Sequence, residues 1–248
     1  ASIVLIVFGW LSGCNFRLAG KDWGVVFLLS LLRAVTSFSL IIAYQNIASG
    51  VASTIHFMYP LAVALAMMFF FREKKSLLVI LAVLMSLLGA ALLSLGELEA
   101  KSGNTMVGLV AACVSVFSYA GYIVGVRTTR AVQINSTALT CYVMGLGTIF
   151  YLIGAYCTSG LQLVSDGYTW LIILGLALPA TAISNITLVQ AIKYAGPTLT
   201  SILGAMEPLT AVVIGVFVFK ELFTVNSAVG IILILLAVSI VVFRRQKS

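Results

Sequence analysis

Two ionisable residues lie deep inside apolar stretches of this sequence. Glu207 is about nine residues into a stretch over 198–219, and Arg33 about eleven residues into one over 22–46. At the helical rise these depths are roughly 13 and 16 Å. A charge that far into hydrocarbon is expensive, so each should face a cavity or a partner. Three roles suit Glu207: proton carrier, substrate contact, or structural partner of a cation. Arg33 suits two. It can receive an anionic substrate group such as a carboxylate, or it can pair with Glu207, because a buried guanidinium demands a counter-ion. Ser37 and Tyr44 follow Arg33 at i+4 and i+11, with Thr36 adjacent, which puts a cation, a hydroxyl and a phenol along one helical stripe. Asn185 and Gln190 carry amides that can bind substrate or join helices. His56, the single histidine, can relay protons or serve as a hydrogen-bonded histidine near the outer end of its stretch. Pro60 and Pro208 each remove a backbone donor inside an apolar stretch, which predicts kinks that can act as hinges.

These residues must be held by membrane-spanning helices. The chain is 62% hydrophobic and 8% charged, with a mean hydropathy of +1.18, against about a quarter charged in soluble domains. Apolar blocks occupy 1–13, 22–46, 51–71, 76–96, 105–126, 137–158, 168–192, 198–219 and 226–243, and all but the first, which is too short to span comfortably, have about the length that crosses a bilayer as a helix. Stretches such as Leu77–Leu95 and Ala228–Phe243 are apolar on every face, unlike the alternating strands of a membrane barrel. The net charge of +7 suggests no nucleic-acid partner, because the cations sit in short loops. Arg17, Lys21, Arg72, Lys74, Lys75, Arg127, Arg130, Lys193, Arg244, Arg245 and Lys247 fall on one side, and only Lys101 and Lys220 on the other. That asymmetry places the rich side and the C-terminus in the cytoplasm. Cys14, Cys113, Cys141 and Cys157 have no paired spacing and read as packing residues. One histidine and isolated acids offer no catalytic or metal-ligating cluster, so neither an enzyme nor a cofactor is expected. Segment 105–126 carries Gly108, Ala111, Ser115, Ser118 and Gly125 on one face, which suits close helix approach.

The chain also repeats itself. A shift of 148 residues without a gap lays Ala43–Glu73 over Ala191–Glu221 and matches Ser53 with Ser201, Met58 with Met206, Pro60 with Pro208 and Glu73 with Glu221. The matched segments are five apart and so cross the membrane in opposite directions, the inverted-repeat arrangement of many secondary transporters. The expected domains are a first half-repeat over 1–96 and a second over 104–248. The second has five segments and the first only four, so an additional helix is expected before Ala1.

Met206-Glu207-Pro208-Leu209 followed by Phe219-Lys220-Glu221-Leu222 resembles the drug/metabolite transporter superfamily, and within it the EamA-type transporters. Lys220 stands where that family often has glycine. Tyr59-Pro60-Leu61 with Phe71-Arg72-Glu73, and Ser118-Tyr119-Ala120 through Arg127, are similar to its fourth and sixth helices. The resemblance implies two inverted five-helix bundles, nine of the ten helices being visible here. It also implies a central cavity lined by segments 22–46, 51–71, 168–192 and 198–219, which adds Tyr59 to the substrate-binding candidates. The expected protein is an alternating-access secondary transporter in a bacterial cytoplasmic membrane, exporting small polar metabolites such as amino acids. Lipid, a small-molecule substrate and coupled protons are the expected partners. The alternatives are a nucleotide-sugar or phosphorylated-metabolite exchanger and, from another class, an intramembrane enzyme or a membrane assembly protein.

Overall fold

The computed structural model describes residues 5–6, 9–10, 16–73, 77–94, 103–158, 166–204, 206–217 and 224–246. Most of the first apolar segment, the connection over 95–102 and the motif Phe219-Lys220-Glu221-Leu222 lie outside the described residues. Helices form wherever the sequence is continuously apolar, and polar side chains cap several of their starts. They are α1 (Trp23–Asn46), α2 (Ser49–His56), α3 (Tyr59–Phe70), α4 (Leu77–Ser94), α5 (Thr105–Thr128), α6 (Ser136–Thr158), α7 (Gly167–Gly175), α8 (Ser184–Ala195), α9 (Pro197–Leu203), α10 (Met206–Phe217) and α11 (Val225–Gln246). No strand occurs among the described residues. Asn104 Oδ1 accepts from the Val107 amide, Asn135 Oδ1 from those of Thr137 and Ala138, and Asp166 Oδ2 from that of Thr169. These bonds satisfy amides left without partners at the starts of α5, α6 and α7. Gly20–Asn46, Ser49–Phe70, Thr105–Thr128 and Ser136–Gly154 are long and apolar enough to cross a membrane, and Leu77–Leu92 and Ala228–Ile240 are shorter apolar helices. The chain is an all-α, multi-pass membrane protein.

Three of the expected spans are interrupted. Segment 51–71 breaks at Phe57-Met58, so that Pro60 enters at the start of α3. Proline there has no N–H to return to the His56 carbonyl, and the ladder yields at that point. Segment 198–219 breaks just before Met206-Glu207-Pro208, and the Glu207 amide closes back on the Gly204 carbonyl at 3.0 Å. Segment 168–192 holds a π-helical stretch, Leu176–Ile183, around Pro179. A wider turn is one way for a helix to pass a missing donor.

The chain packs as two units. The first comprises Ala1–Ala34 and Gly125–Gly196. Ser30 donates to the Val143 carbonyl at 3.2 Å, Trp23 meets Tyr142 edge-on at 5.5 Å, and Gly125 receives Leu29. Gly196 ends α8 at φ 89°, in the left-handed region that favours glycine, and Pro197 then opens α9.

The second unit comprises Val35–Val124 and Pro197–Ser248. Helices α4 and α11 pack along each other through small residues, including Ala82, Gly89, Gly230 and Ala237. The small face expected on α5 is used at Gly108, which takes Ile47 just past the end of α1, and at Ala111, which clusters with Ala43 of α1. The two copies of the repeat are directly comparable here. Adding 148 to Ser49–His56, Tyr59–Phe70 and the start of α4 reproduces α9, α10 and the start of α11 to within a residue. The copies run in opposite directions. Passing along α3, Tyr59 meets Gly204, Ala64 and Met68 cluster with Ile202, and the turn residue Glu73 bonds Thr198. Packing units and repeat halves divide the chain differently: each unit takes helices from both the 1–96 and the 104–248 halves.

Candidate functional site

The polar residues inside the spans fall into both units, and each group is built by its own helices. In the first unit Arg33 is half-buried on α1 and donates from Nη2 to Asn185 Oδ1 at 3.1 Å. Asn185 is 6% exposed. Its Nδ2 donates to the Thr181 carbonyl at 2.7 Å, which turns the amide oxygen toward the guanidinium. The Thr181 carbonyl ends the π stretch, where it also accepts from the Ser184 amide. The distortion around Pro179 therefore lies beside the residue that holds Arg33. Gln190 lies exposed on α8, five residues beyond Asn185 and so about 140° around the helix. The structure does not group it with Arg33. An apolar recess of about 380 Å³ in this unit, lined by Phe16, Trp23, Cys141 and Tyr142, includes none of the expected site residues.

A second polar knot of this unit was not singled out from the sequence. Lys193 is 8% exposed and donates from Nζ to the Ile134 carbonyl, while Arg127 Nη1 donates to the Lys193 carbonyl at 2.6 Å. Together they tie the end of α8 to the connection before α6. Burial lowers the Lys193 pKa from 10.5 to about 8. Between these values the unfolded chain binds the extra proton, so stability rises with pH across that window, and the penalty is fully present below about 8. The thermal midpoint of the purified protein should therefore climb between pH 8 and 10, relative to a Lys193→Met variant. Parallel curves for the two proteins would reject this account. At the same end Arg130 Nε donates to Asp22 Oδ1 at 2.8 Å.

In the second unit the candidates surround the two helix breaks. Tyr59 is 4% exposed at the start of α3, with His56 at 5.5 Å and Tyr119 at 4.7 Å between ring centroids. The Tyr59 hydroxyl fills the space that a side chain at Gly204 would need. His56 Nδ1 lies 2.9 Å from Ser115 Oγ. Thr36, beside Ser37 on α1, is 1% exposed and bonds Ser118 at 2.9 Å. The Ser118 hydroxyl also lies 2.8 Å from the Val114 carbonyl. Ser115 and Ser118 thus serve as hydrogen-bonding partners on the small face of α5 as well as spacers. Ser37 is half-buried, and Tyr44 Oη shares a 3.2 Å bond with Ser53 Oγ of α2. Glu207 is exposed in the first turn of α10, where the helix dipole favours a carboxylate. Pro60 and Pro208 each stand one residue beyond a first-turn residue, Tyr59 and Glu207, that occupies the same position in the repeat. Glu73 Oε2 accepts from Thr198 Oγ1 at 2.6 Å. The turn that presents it has Arg72 at φ 55°, a conformation that glycine adopts more readily. No group of three or more His, Cys, Asp or Glu side chains that could hold a metal occurs among the described residues.

Broken helices related by an inverted repeat, with ionisable groups near the breaks, are an arrangement found in membrane transporters. The chain belongs to the EamA-like transporter family, whose model matches residues 1–95 and 106–243. A relative from Archaeoglobus fulgidus, described as an uncharacterized transporter, is 28% identical over 238 residues, covering 95% of this chain and 83% of its own length. A solved crystal structure of a protein 18% identical superposes with a TM-score of 0.83 over all of this chain and 85% of that one, which shows a shared fold.

Proposed function

We propose that this membrane transporter carries small zwitterionic metabolites such as amino acids, by alternating access, out of a bacterial cell. The C-terminus and the loops rich in Lys and Arg are then cytoplasmic, in accord with the charge asymmetry. One observation carries this reading: both copies of the repeated helix break shortly before a repeat-related proline, so that Tyr59-Pro60 and Glu207-Pro208 each stand in the first turn of the helix that follows. Transporters place substrate and coupling-ion sites at such breaks, where half-helix ends supply unsatisfied backbone groups and the surrounding helices can rock. Arg33, oriented by Asn185, supplies a donor for a carboxylate. Glu207 supplies a group that can accept an ammonium or a proton. Tyr59, Ser37 and Tyr44 offer hydroxyls to the same classes of ligand.

The test is flux into liposomes containing the purified protein, with labelled amino acids, with and without an imposed pH gradient. Saturable uptake above that of empty liposomes is expected. A nucleotide sugar should give no such uptake. Uptake of the nucleotide sugar alone would transfer the assignment to the exchanger reading, and no flux with either class would remove transport of both.

A further inference from the structure

The closed contact between α3 and α9 has a counterpart that the repeat requires between α10 and α2. A shift of 148 residues pairs Tyr59 with Glu207 and Gly204 with His56, so the counterpart of the Tyr59–Gly204 contact is Glu207 on His56. The two contacts are not equally made. Helix α3 packs along α9, whereas α10 packs on α4 and α11 and among the described residues touches α2 sparsely at most. Tyr59 is buried and Glu207 is exposed. An inverted repeat with one of two equivalent contacts closed and the other open is one member of a pair of states, and exchanging the two arrangements generates the other. In that second state Glu207 falls on His56. The reach is comparable: one long side chain against a glycine at the first contact, and two of medium length at the second.

The hydrogen bonds at His56 decide its chemistry. Ser115 gives its single proton to the Ala112 carbonyl at 2.6 Å, so toward His56 Nδ1 it is an acceptor. Nδ1 therefore carries hydrogen, and Nε2 is the basic atom of the neutral ring. We propose that His56 Nε2 and the Glu207 carboxyl form a proton-binding pair that is assembled only when α2 and α10 close on each other. A proton taken up by Glu207 while it is exposed is then shared with Nε2. Moving it fully across leaves an imidazolium beside a carboxylate, with no change in net charge. The other ionisable groups on the surrounding elements are Arg33 and Tyr44 on α1, Tyr59 on α3, and Cys113, Tyr119, Tyr122 and Arg127 on α5. Glu73 lies at the far end of α3, Arg244 and Arg245 lie at the end of α11, and α4 and α9 carry none. The pair gives the transporter reading above its coupling ion.

Paired cysteines read the two contacts without substrate, after alanine replaces Cys14, Cys113, Cys141 and Cys157. Met68→Cys with Leu199→Cys reports closure of α3 on α9, and His56→Cys with Glu207→Cys reports closure of α2 on α10. Both pairs should cross-link with a short bifunctional thiol reagent in liposomes. Glu73→Gln, which weakens the tie to Thr198, should shift yield from the first pair to the second by roughly tenfold, the equilibrium equivalent of one charge-assisted hydrogen bond. With the first pair and native His56 and Glu207, yield should fall several-fold between pH 8 and pH 5. His56→Gln and Glu207→Gln should each abolish that response, the double variant doing no more. A first pair that cross-links while the second never does overturns the proposal. So does a pH response that survives either substitution or is missing from the parent. Failure of both pairs overturns the placement of α3 against α9 from which the pair is inferred. Loss of substrate flux alone would leave the cross-linking result standing, so the two readings fail separately.

Discussion

Gly89→Leu is expected to prevent assembly of the second unit, and Gly89→Ala to weaken it. A methyl group at position 89 would lie 2.7 Å from the Gly230 carbonyl oxygen and 2.7 Å from Ile234 Cγ1. The carbonyl belongs to helix backbone and cannot rotate away, so α4 and α11 must move apart. Those helices pack along each other as repeat-related partners, and in a membrane such contacts depend on close backbone approach because lipid removes the hydrophobic drive. Overpacking of this kind costs about 1–3 kcal/mol for a methyl-sized change. The helix-propensity gain of alanine over glycine returns at most about 1 kcal/mol. The net sign is therefore destabilising for alanine, and a branched side chain has no space at all. Thermal unfolding and monodispersity of the purified protein measure both effects. Adding Ile234→Ala should relieve the side-chain clash but not the carbonyl clash, so recovery should be partial. An unchanged or raised midpoint in Gly89→Ala would show that α4 and α11 do not approach this closely.

The reasons why some features were legible in sequence and others were not are physical. Hydrocarbon forces long apolar runs to be helices, so the spans over 22–46, 105–126 and 137–158 could be read to within a few residues. The inverted repeat was legible because Pro and Glu are rare enough in this composition for a shared spacing to stand out. The breaks were only half legible. Proline at 60 and 208 predicted kinks, but whether a helix bends or separates depends on whether neighbours accept its freed carbonyl, which is tertiary information. Pro179 gave no hint of a π stretch for the same reason. Asn185 was legible only as an amide for substrate or for joining helices, and its bond to Arg33 was not, because depth along a span is readable and azimuth between spans is not. Asn185, on a helix distorted by Pro179, presents its amide oxygen to the guanidinium. His56 was read as a relay or a hydrogen-bonded histidine, and its bond to Ser115 came from a face that had been read for small size rather than polarity.

Arg33 gives the largest expected functional effect, and Asn185 separates its two roles. Arg33 is held by a neutral amide oxygen at 3.1 Å, while the same amide's nitrogen is committed to the Thr181 carbonyl. The Asn185 amide oxygen orients the guanidinium without adding a charge of its own, which suits a side chain that meets a substrate carboxylate. If that is its task, Arg33→Gln should lower uptake of zwitterionic amino acids by roughly ten- to a hundredfold, the equivalent of one hydrogen bond to a charged group. The thermal midpoint should change little, since glutamine can still donate to Asn185. Asn185→Asp then becomes the sharper variant. It places a carboxylate against Arg33, which satisfies the cation internally and competes with the substrate, so uptake should fall while stability holds. The structural reading predicts the reverse pattern. There Arg33→Gln loses a charge-assisted bond and lowers the midpoint, and Asn185→Asp strengthens the pair and leaves uptake near the parent level. Asn185→Leu removes the orienting oxygen and should raise the KM for substrate under the first reading, while lowering the midpoint under either. Uptake that survives both Arg33→Gln and Asn185→Asp would take Arg33 out of the substrate path.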